Sequence, residues 1–187
     1  MTYSAIEHLS KVLRKEHHVF EWGSGGSSVF FAKRAKSVVS IEHDPMWFSD
    51  LSKAIAKKQI ANWQGILMPP KQNNAGFTSV SSDPDAYCSD APEFKGYTFH
   101  DYVTAIDDLP DKSLDMVVID GRARPSCLKH SIPKVRVGGV IVLDNAERHY
   151  YSDAITLTGK DFRRLDFPGA LPSISTFTLT SVFHRIS

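Results

Sequence analysis

The stretch Glu21-Trp22-Gly23-Ser24-Gly25-Gly26-Ser27-Ser28 decides the fold. Before it, Val19-Phe20 reads as the end of a short strand. After it, Val29-Phe30-Phe31-Ala32-Lys33-Arg34 reads as the opening of a helix. A strand, a glycine turn and a helix in that order form a nucleotide-binding corner, because glycines let the backbone approach a ligand closely. The acid narrows the choice of ligand. A dinucleotide site presents a helix N-terminus to a pyrophosphate, and a carboxylate at the strand tip repels that anion. The spacing also departs from G-x-G-x-x-G, since Ser28 holds the third glycine position. A carboxylate at this corner suits a cationic, amine-bearing ligand instead.

The next segment extends the pattern. Ser37-Val38-Val39-Ser40-Ile41 is a second strand by its β-branched run, and Glu42 ends it. An acid about twenty residues after the first strand tip is where a doubly wound fold grips ribose hydroxyls. A carboxylate accepts from both the 2′ and 3′ hydroxyls; the plainer alternative is a solvated acid at a strand end. Asp44 before Pro45 caps a helix running from Met46 to Lys58, whose expected buried stripe is Trp47, Leu51, Ala54 and Ile55.

Glu21, Gly23 and Gly25 resemble the acid-x-Gly-x-Gly first motif of class I S-adenosylmethionine (SAM)-dependent methyltransferases. Ser27 stands where that family often has a third glycine. The resemblance implies SAM as cofactor. It implies that Glu21, Gly23, Ser24, Gly25 and Ser27 hold the methionine end, and that Glu42, with His43 beside it, holds the ribose.

Composition agrees with a soluble, single domain spanning 1–187. The chain is 42% apolar, with mixed charges and a net charge of +1, which gives no support for a nucleic-acid surface. Lys33-Arg34-Ala35-Lys36 reads as a solvated helix end. No apolar run reaches membrane-spanning length, and no signal peptide is expected. Cys88 and Cys127 lack metal-ligand spacing and read as free thiols of a cytoplasmic protein. The expected partner is a small-molecule substrate, with neither nucleic acid nor membrane; the oligomeric state stays open.

Strands and helices alternate along the rest of the chain. Tyr3 to Lys15 reads as an amphipathic helix with Ile6, Leu9 and Leu13 on one face. Gln64 to Met68 is a third strand. Residues 69–96 are too long for an ordinary connection. With Phe77, Tyr87, Phe94 and Tyr97 as anchors, the stretch at about 69–97 reads as a lid over the ligand edge; a plain surface insertion is the alternative. Thr98 to Leu109 reads as a helix. Met116 to Ile119 is a central strand ending at Asp120-Gly121, and a helix is expected from about Ser126 to Val135. Val140 to Leu143 is a strand ending at Asp144-Asn145. Phe162 to Phe167 and Ser175 to His184 make a terminal pair around the turn 168–172. The order of elements resembles the class I methyltransferases over nearly the whole chain. It predicts an α/β, doubly wound, mostly parallel seven-stranded sheet with a C-terminal antiparallel strand pair.

The tips at 120 and 144 carry the expected chemistry, because neighbouring tips of an open sheet face one bound ligand. Asp120, Asp144 and Asn145 offer hard oxygen donors suited to Mg²⁺. They are similar to the metal site of catechol-type O-methyltransferases, an arrangement in which a metal lowers the acceptor pKa. The lysine base of those enzymes corresponds to Ala123, and Arg122 and Arg124 flank it, which disfavours a metal. The main reading is therefore metal-free. Asp120 is the acceptor's base or orienter, with His149 as a second candidate base. Arg122 and Arg124 receive an anionic substrate group, or pair structurally with Asp120, while Asp144 and Asn145 line the acceptor pocket or cap the next segment. The expected activity is SAM-dependent methyl transfer to an oxygen (or nitrogen) of a small acceptor. A nicotinamide-dependent oxidoreductase and a non-catalytic SAM-fold binding module are the alternatives.

Overall fold

A computed structural model describes residues 1–73, 81–172 and 176–187. Its strands are β1 (His18–Trp22), β2 (Ser37–Glu42), β3 (Trp63–Leu67), β4 (Lys71–Gln72), β5 (Tyr97–Thr98), β6 (Leu114–Ile119), β7 (Val135–Leu143), β8 (Phe162–Ala170) and β9 (Phe177–Arg185). The helices are α1 (Tyr3–Val12), α2 (Gly26–Ala32), α3 (Pro45–Lys57), α4 (His100–Thr104), α5 (Arg124–Ser131) and α6 (Ser152–Thr156).

Seven strands form one sheet in the order β3-β2-β1-β6-β7-β9-β8. The pairs among β1, β2, β3, β6 and β7 are parallel, and β9 runs antiparallel to both β7 and β8. The expected architecture is therefore present, including the terminal antiparallel pair. The chain winds outward from β1 in one direction and from β6 in the other, so the switch point of the sheet lies between them, where open α/β sheets place ligands.

The unbroken apolar run of β6 follows from burial on both faces. Val117 and Ile119 pack into one layer with Phe99, Tyr102, Val103 and Leu128 of the α4–α5 side. Met116 and Val118 pack into the other with Leu9, Leu13, Phe31 and Ala32 of the α1–α2 side. Register then aligns the strand ends: Trp22 sits beside Ile41 and Ile119, and Ile119 sits beside Leu143. Backbone bonds continue past them. Gly23 N–H donates to Ile41 O at 2.9 Å, Asp120 N–H to Trp22 O at 2.9 Å and Asp144 N–H to Ile119 O at 3.1 Å. Positions 23, 42, 120 and 144 thus share one edge.

Several local expectations are corrected. The helix after β5 is only α4, followed by turns, and α5 begins at Arg124 rather than Ser126. β7 starts five residues earlier than its apolar run, because Val135 pairs with Leu114 before a bulge. Trp47 is 54% exposed and Ala54 is also exposed, so they do not belong to the buried stripe of α3, which keeps Ile55. The long segment opens and closes on the small antiparallel pair of β4 and β5. Tyr87 and Phe94 pack against the α4–α5 layer. Phe77 and Ser175 lie outside the described residues. Cys88 and Cys127 are both buried. Among the described residues, no helix is long and apolar enough to cross a membrane.

Candidate functional site

Glu21 lies at the end of β1 and is fully buried. Its carboxylate accepts from Ser27 Oγ at 3.0 Å, from Ser40 Oγ at 2.6 Å and from Ser28 Oγ. Ser28 Oγ in turn accepts the Gly25 N–H at 2.9 Å. Burial pushes the Glu21 carboxyl up to about 7, against the lowering effect of the three serine hydroxyls. Glu21 does not line the cleft described below. It ties the first turn of α2 to β1 and β2, which fixes the glycine turn. The carboxylate is thus engaged by three serine hydroxyls beneath the turn.

The turn itself needs glycine at one point. Gly23 has φ of +87°, and a Cβ there would lie 2.7 Å from the backbone of Gly121. The loops after β1 and β6 can approach only without a side chain.

Glu42 ends β2 and is 3% exposed. One carboxylate oxygen accepts from the N–H and Oγ of Ser24, both at 2.9 Å; the other accepts from the N–H groups of His43 at 2.8 Å and Asp44 at 3.0 Å. Burial alone would raise its pKa, but the His43 ring and these backbone donors hold it at about 2. His43 Nδ1 is 2.8 Å from Glu42 Oε1, yet it lacks the alignment of a hydrogen bond. Trp47, in the first turn of α3, donates from Nε1 to Ser24 O at 2.7 Å and lies across Gly25. Sequence reasoning missed it as a site residue. The available signal was its place directly after the Asp44-Pro45 cap, from which a helical side chain leans back over the preceding turn.

At the other end of the edge, Arg124 ties β6 to β7. Its Nε donates to Gly121 O at 2.9 Å, Nη1 to Asn145 Oδ1 at 2.8 Å and to Asp144 O, and Nη2 to Asp120 O at 3.3 Å. Nη2 is also 3.4 Å from Asp120 Oδ1. The side chain is buried, these acceptors engage all three of its nitrogens, and it also lines the cleft described below. Asp144 accepts from Thr180 Oγ1 at 2.6 Å and from the Met1 ammonium at 3.1 Å; that ammonium is 3.9 Å from Asp120. Asn145 gives its amide N–H to Thr178 Oγ1 at 2.8 Å. Burial, reinforced by Asp144 and opposed by Arg124, raises the Asp120 carboxyl to about 6, while the Met1 ammonium and Thr180 hold Asp144 low against its own burial.

These donors do not fit a divalent cation as arranged. Asn145 Oδ1 and both Asp144 oxygens are committed to protein donors, and two cations already flank the aspartates. His149 is exposed, packs edge-on to Tyr150 and is not among the cleft's lining residues, so the structure does not bring it to Asp120. Arg122 does face the cleft. It lies 3.5 Å from His43 Nε2 and stacks 5.2 Å from the Phe94 ring centre.

The two ends share one cleft of about 970 Å³, a volume typical of small-molecule sites. It runs from Gly23, Ser24, Gly25 and Ser27 past Glu42, His43 and Trp47 to Asp120, Arg122, Asp144, Asn145 and Arg148. A smaller hollow of about 30 Å³ adjoins it, lined by Cys88, Asp90, Arg122, Arg148 and Tyr150.

No protein-family model and no curated protein matches the chain. Solved structures do. An rRNA methylase from Streptococcus thermophilus superposes with a TM-score of 0.64 at 13% identity, over 98% of this chain and 95% of its own. The O-methyltransferase TomG from Streptomyces achromogenes, solved with SAM, gives 0.66 at 13% identity over 97% and 78%. A methyltransferase-like protein from Silicibacter pomeroyi gives 0.59 at 20% identity over 100% and 89%. The chain therefore has the Rossmann-like fold of class I methyltransferases.

Proposed function

We propose that the protein is a SAM-dependent methyltransferase acting on an oxygen or nitrogen of a small acceptor. One observation carries the reading: a single cleft joins the glycine turn and Glu42 to the Asp120–Asp144 pair across the switch point of the sheet. The residues present fit the cofactor. The turn at Gly23–Gly25 opens its backbone to the cleft, Glu42 stays ionised, and Ser24 Oγ can rotate away to free a carboxylate oxygen for a ribose hydroxyl. Gly23, Ser24, Gly25, Glu42, His43 and Trp47 would hold SAM, which supplies an electrophilic methyl group when bound.

The chain's own residues do the rest. Glu21 keeps the turn in place through its serines. Asp120, with its carboxyl raised toward neutrality, accepts the acceptor's proton, and a base works best when its pKa lies near the working pH. Asp144 and Arg124 fix the tip from which Asp120 projects. The site works without a metal, since its oxygen donors already serve protein partners. An rRNA methylase and O-methyltransferases share the fold, so the fold does not select the acceptor. The net charge of +1 and the cleft volume of about 970 Å³ favour a small one. The segment at 69–97 acts as a lid, anchored by Tyr87 and Phe94.

The test is methyl transfer from labelled SAM across a panel of small acceptors. Asp120→Asn lowers the rate about 10²–10⁴-fold while SAM affinity stays constant. Chelator leaves the rate intact; loss with chelator and rescue by Mg²⁺ overturns the metal-free site.

A further inference from the structure

Three arginines meet at the acceptor end, and they differ in how their N–H groups are used. Arg124 is 10% exposed and bonded at every nitrogen. Arg122 and Arg148 are 34% and 37% exposed, and both line the large cleft and the hollow beside it. Each rests on an aromatic face: Arg122 at 5.2 Å from the Phe94 ring centre, Arg148 at 6.0 Å from that of Tyr151. A ring steadies a guanidinium plane while leaving its N–H edge open. Among the described residues, Arg122 Nη1 and Arg148 Nε and Nη2 make no hydrogen bond.

The acids that these two arginines meet belong to one segment. Asp90 Oδ2 is 3.3 Å from Arg148 Nη1, and Glu93 Oε1 is 3.6 Å from Arg122 Nη2. Asp90 also accepts from the Tyr150 hydroxyl at 2.5 Å. Both ion pairs are long and partly solvated, as expected of contacts that exchange readily.

We propose that Arg122 and Arg148 form an oxyanion subsite at the acceptor end of the cleft, and that Asp90 and Glu93 occupy it internally until a carboxylate or phosphate group of the acceptor displaces them. The inference rests on the methyl-transfer reading of the cleft and deepens it. The acceptor is a small molecule whose methylated oxygen or nitrogen is accompanied by an oxyanion. Guanidinium forks match such groups with paired hydrogen bonds. The two loop acids offset the repulsion of neighbouring guanidiniums while the subsite is empty, so acceptor entry and release of the 81–96 segment become one exchange.

The test uses the whole protein saturated with S-adenosylhomocysteine (SAH). It is titrated with benzoate and, in a separate arm, with inorganic phosphate, at ionic strength fixed with chloride. At least one oxyanion binds above the chloride background. Arg122→Gln and Arg148→Gln each weaken it about tenfold or more, as for a lost charge-assisted bond. The Asp90→Asn/Glu93→Gln double variant strengthens it about two- to fivefold, the contribution of partly exposed ion pairs. A gain of affinity cannot come from partial unfolding, so that arm stays decisive if an arginine variant folds poorly. Unchanged affinity in both arginine variants, or no binding above chloride, overturns the subsite. A short single-stranded RNA that binds more tightly than phosphate and depends on the same arginines overturns the small-molecule assignment. SAH binding separates the two readings: retained SAH affinity without an oxyanion effect sinks the subsite alone, and absent SAH affinity sinks the methyl-transfer reading beneath it.

Discussion

The two ends of the cleft are built in opposite ways. At the tips of β1 and β2, the carboxylates of Glu21 and Glu42 take donors from within nineteen positions in the chain: Ser24, Ser27, Ser28, Ser40, His43 and Asp44. At the tips of β6 and β7, partners come from far away. Met1 reaches Asp144 across 143 positions, Thr180 across 36, and Asp90 reaches Arg148 across 58. The first end is pre-organised by local sequence. The second depends on the whole fold and on one long segment. A cofactor common to many enzymes suits the first design, and a variable acceptor suits the second.

The comparison breaks most readily at Glu42. Glu42→Ala removes one carboxylate that gathers four donors and is meant to meet the ribose. Each charge-assisted bond lost costs about 1.5–3 kcal/mol, or about ten- to a hundredfold in Kd for SAM. Calorimetry reads this directly, and an unchanged Kd would remove Glu42 from the cofactor site.

The two buried acids of this corner sharpen the contrast further, because their pKa values move in opposite directions. Glu21 is raised to about 7, so the folded state holds a proton that the unfolded chain releases from about 4.5 upward. Its contribution to stability therefore falls as pH rises from about 4.5 to 7. Glu42 is lowered to about 2, so its contribution is complete above about 4.5 and is lost as pH falls toward 2. Denaturant unfolding of Glu21→Gln should lose the downward slope above pH 4.5, a change of roughly 2–3 kcal/mol across the window. Parallel curves for the variant and the parent protein would show that Glu21 does not titrate there.

Much of the first end was legible in sequence, and less of the second. An acid, two glycines and a β-branched strand act through neighbours in the chain, so spacing identified the corner. The exposed Trp47 escaped because helical periodicity placed it with Ile55, whereas its indole bends back onto Ser24. Arg122 and Arg124 look equivalent as letters. Ala123 between them has φ of 48°, a left-handed turn that sends one arginine into the strand tips and leaves the other facing the cleft. Arg148 gave no motif at all, since its partner Asp90 reaches it only in the fold. The start of β7 was missed because the glycine-containing stretch Arg136 to Gly139 is held in the strand by pairing at Val135, not by a continuous apolar run.

The smallest effect concerns the long segment. The lid reading predicts that limited proteolysis cuts between 69 and 97 in the free protein, and that SAH with an acceptor slows the cut. An equal rate with both ligands would make the segment a plain surface insertion.

The central claim is that this cleft takes SAM. Calorimetric titration of the unmodified protein with SAM, SAH and NAD tests it most directly. The account predicts saturable binding of SAM and SAH at low-micromolar to sub-millimolar concentration, and no heat from NAD. Tight NAD binding with no signal from SAM would contradict it.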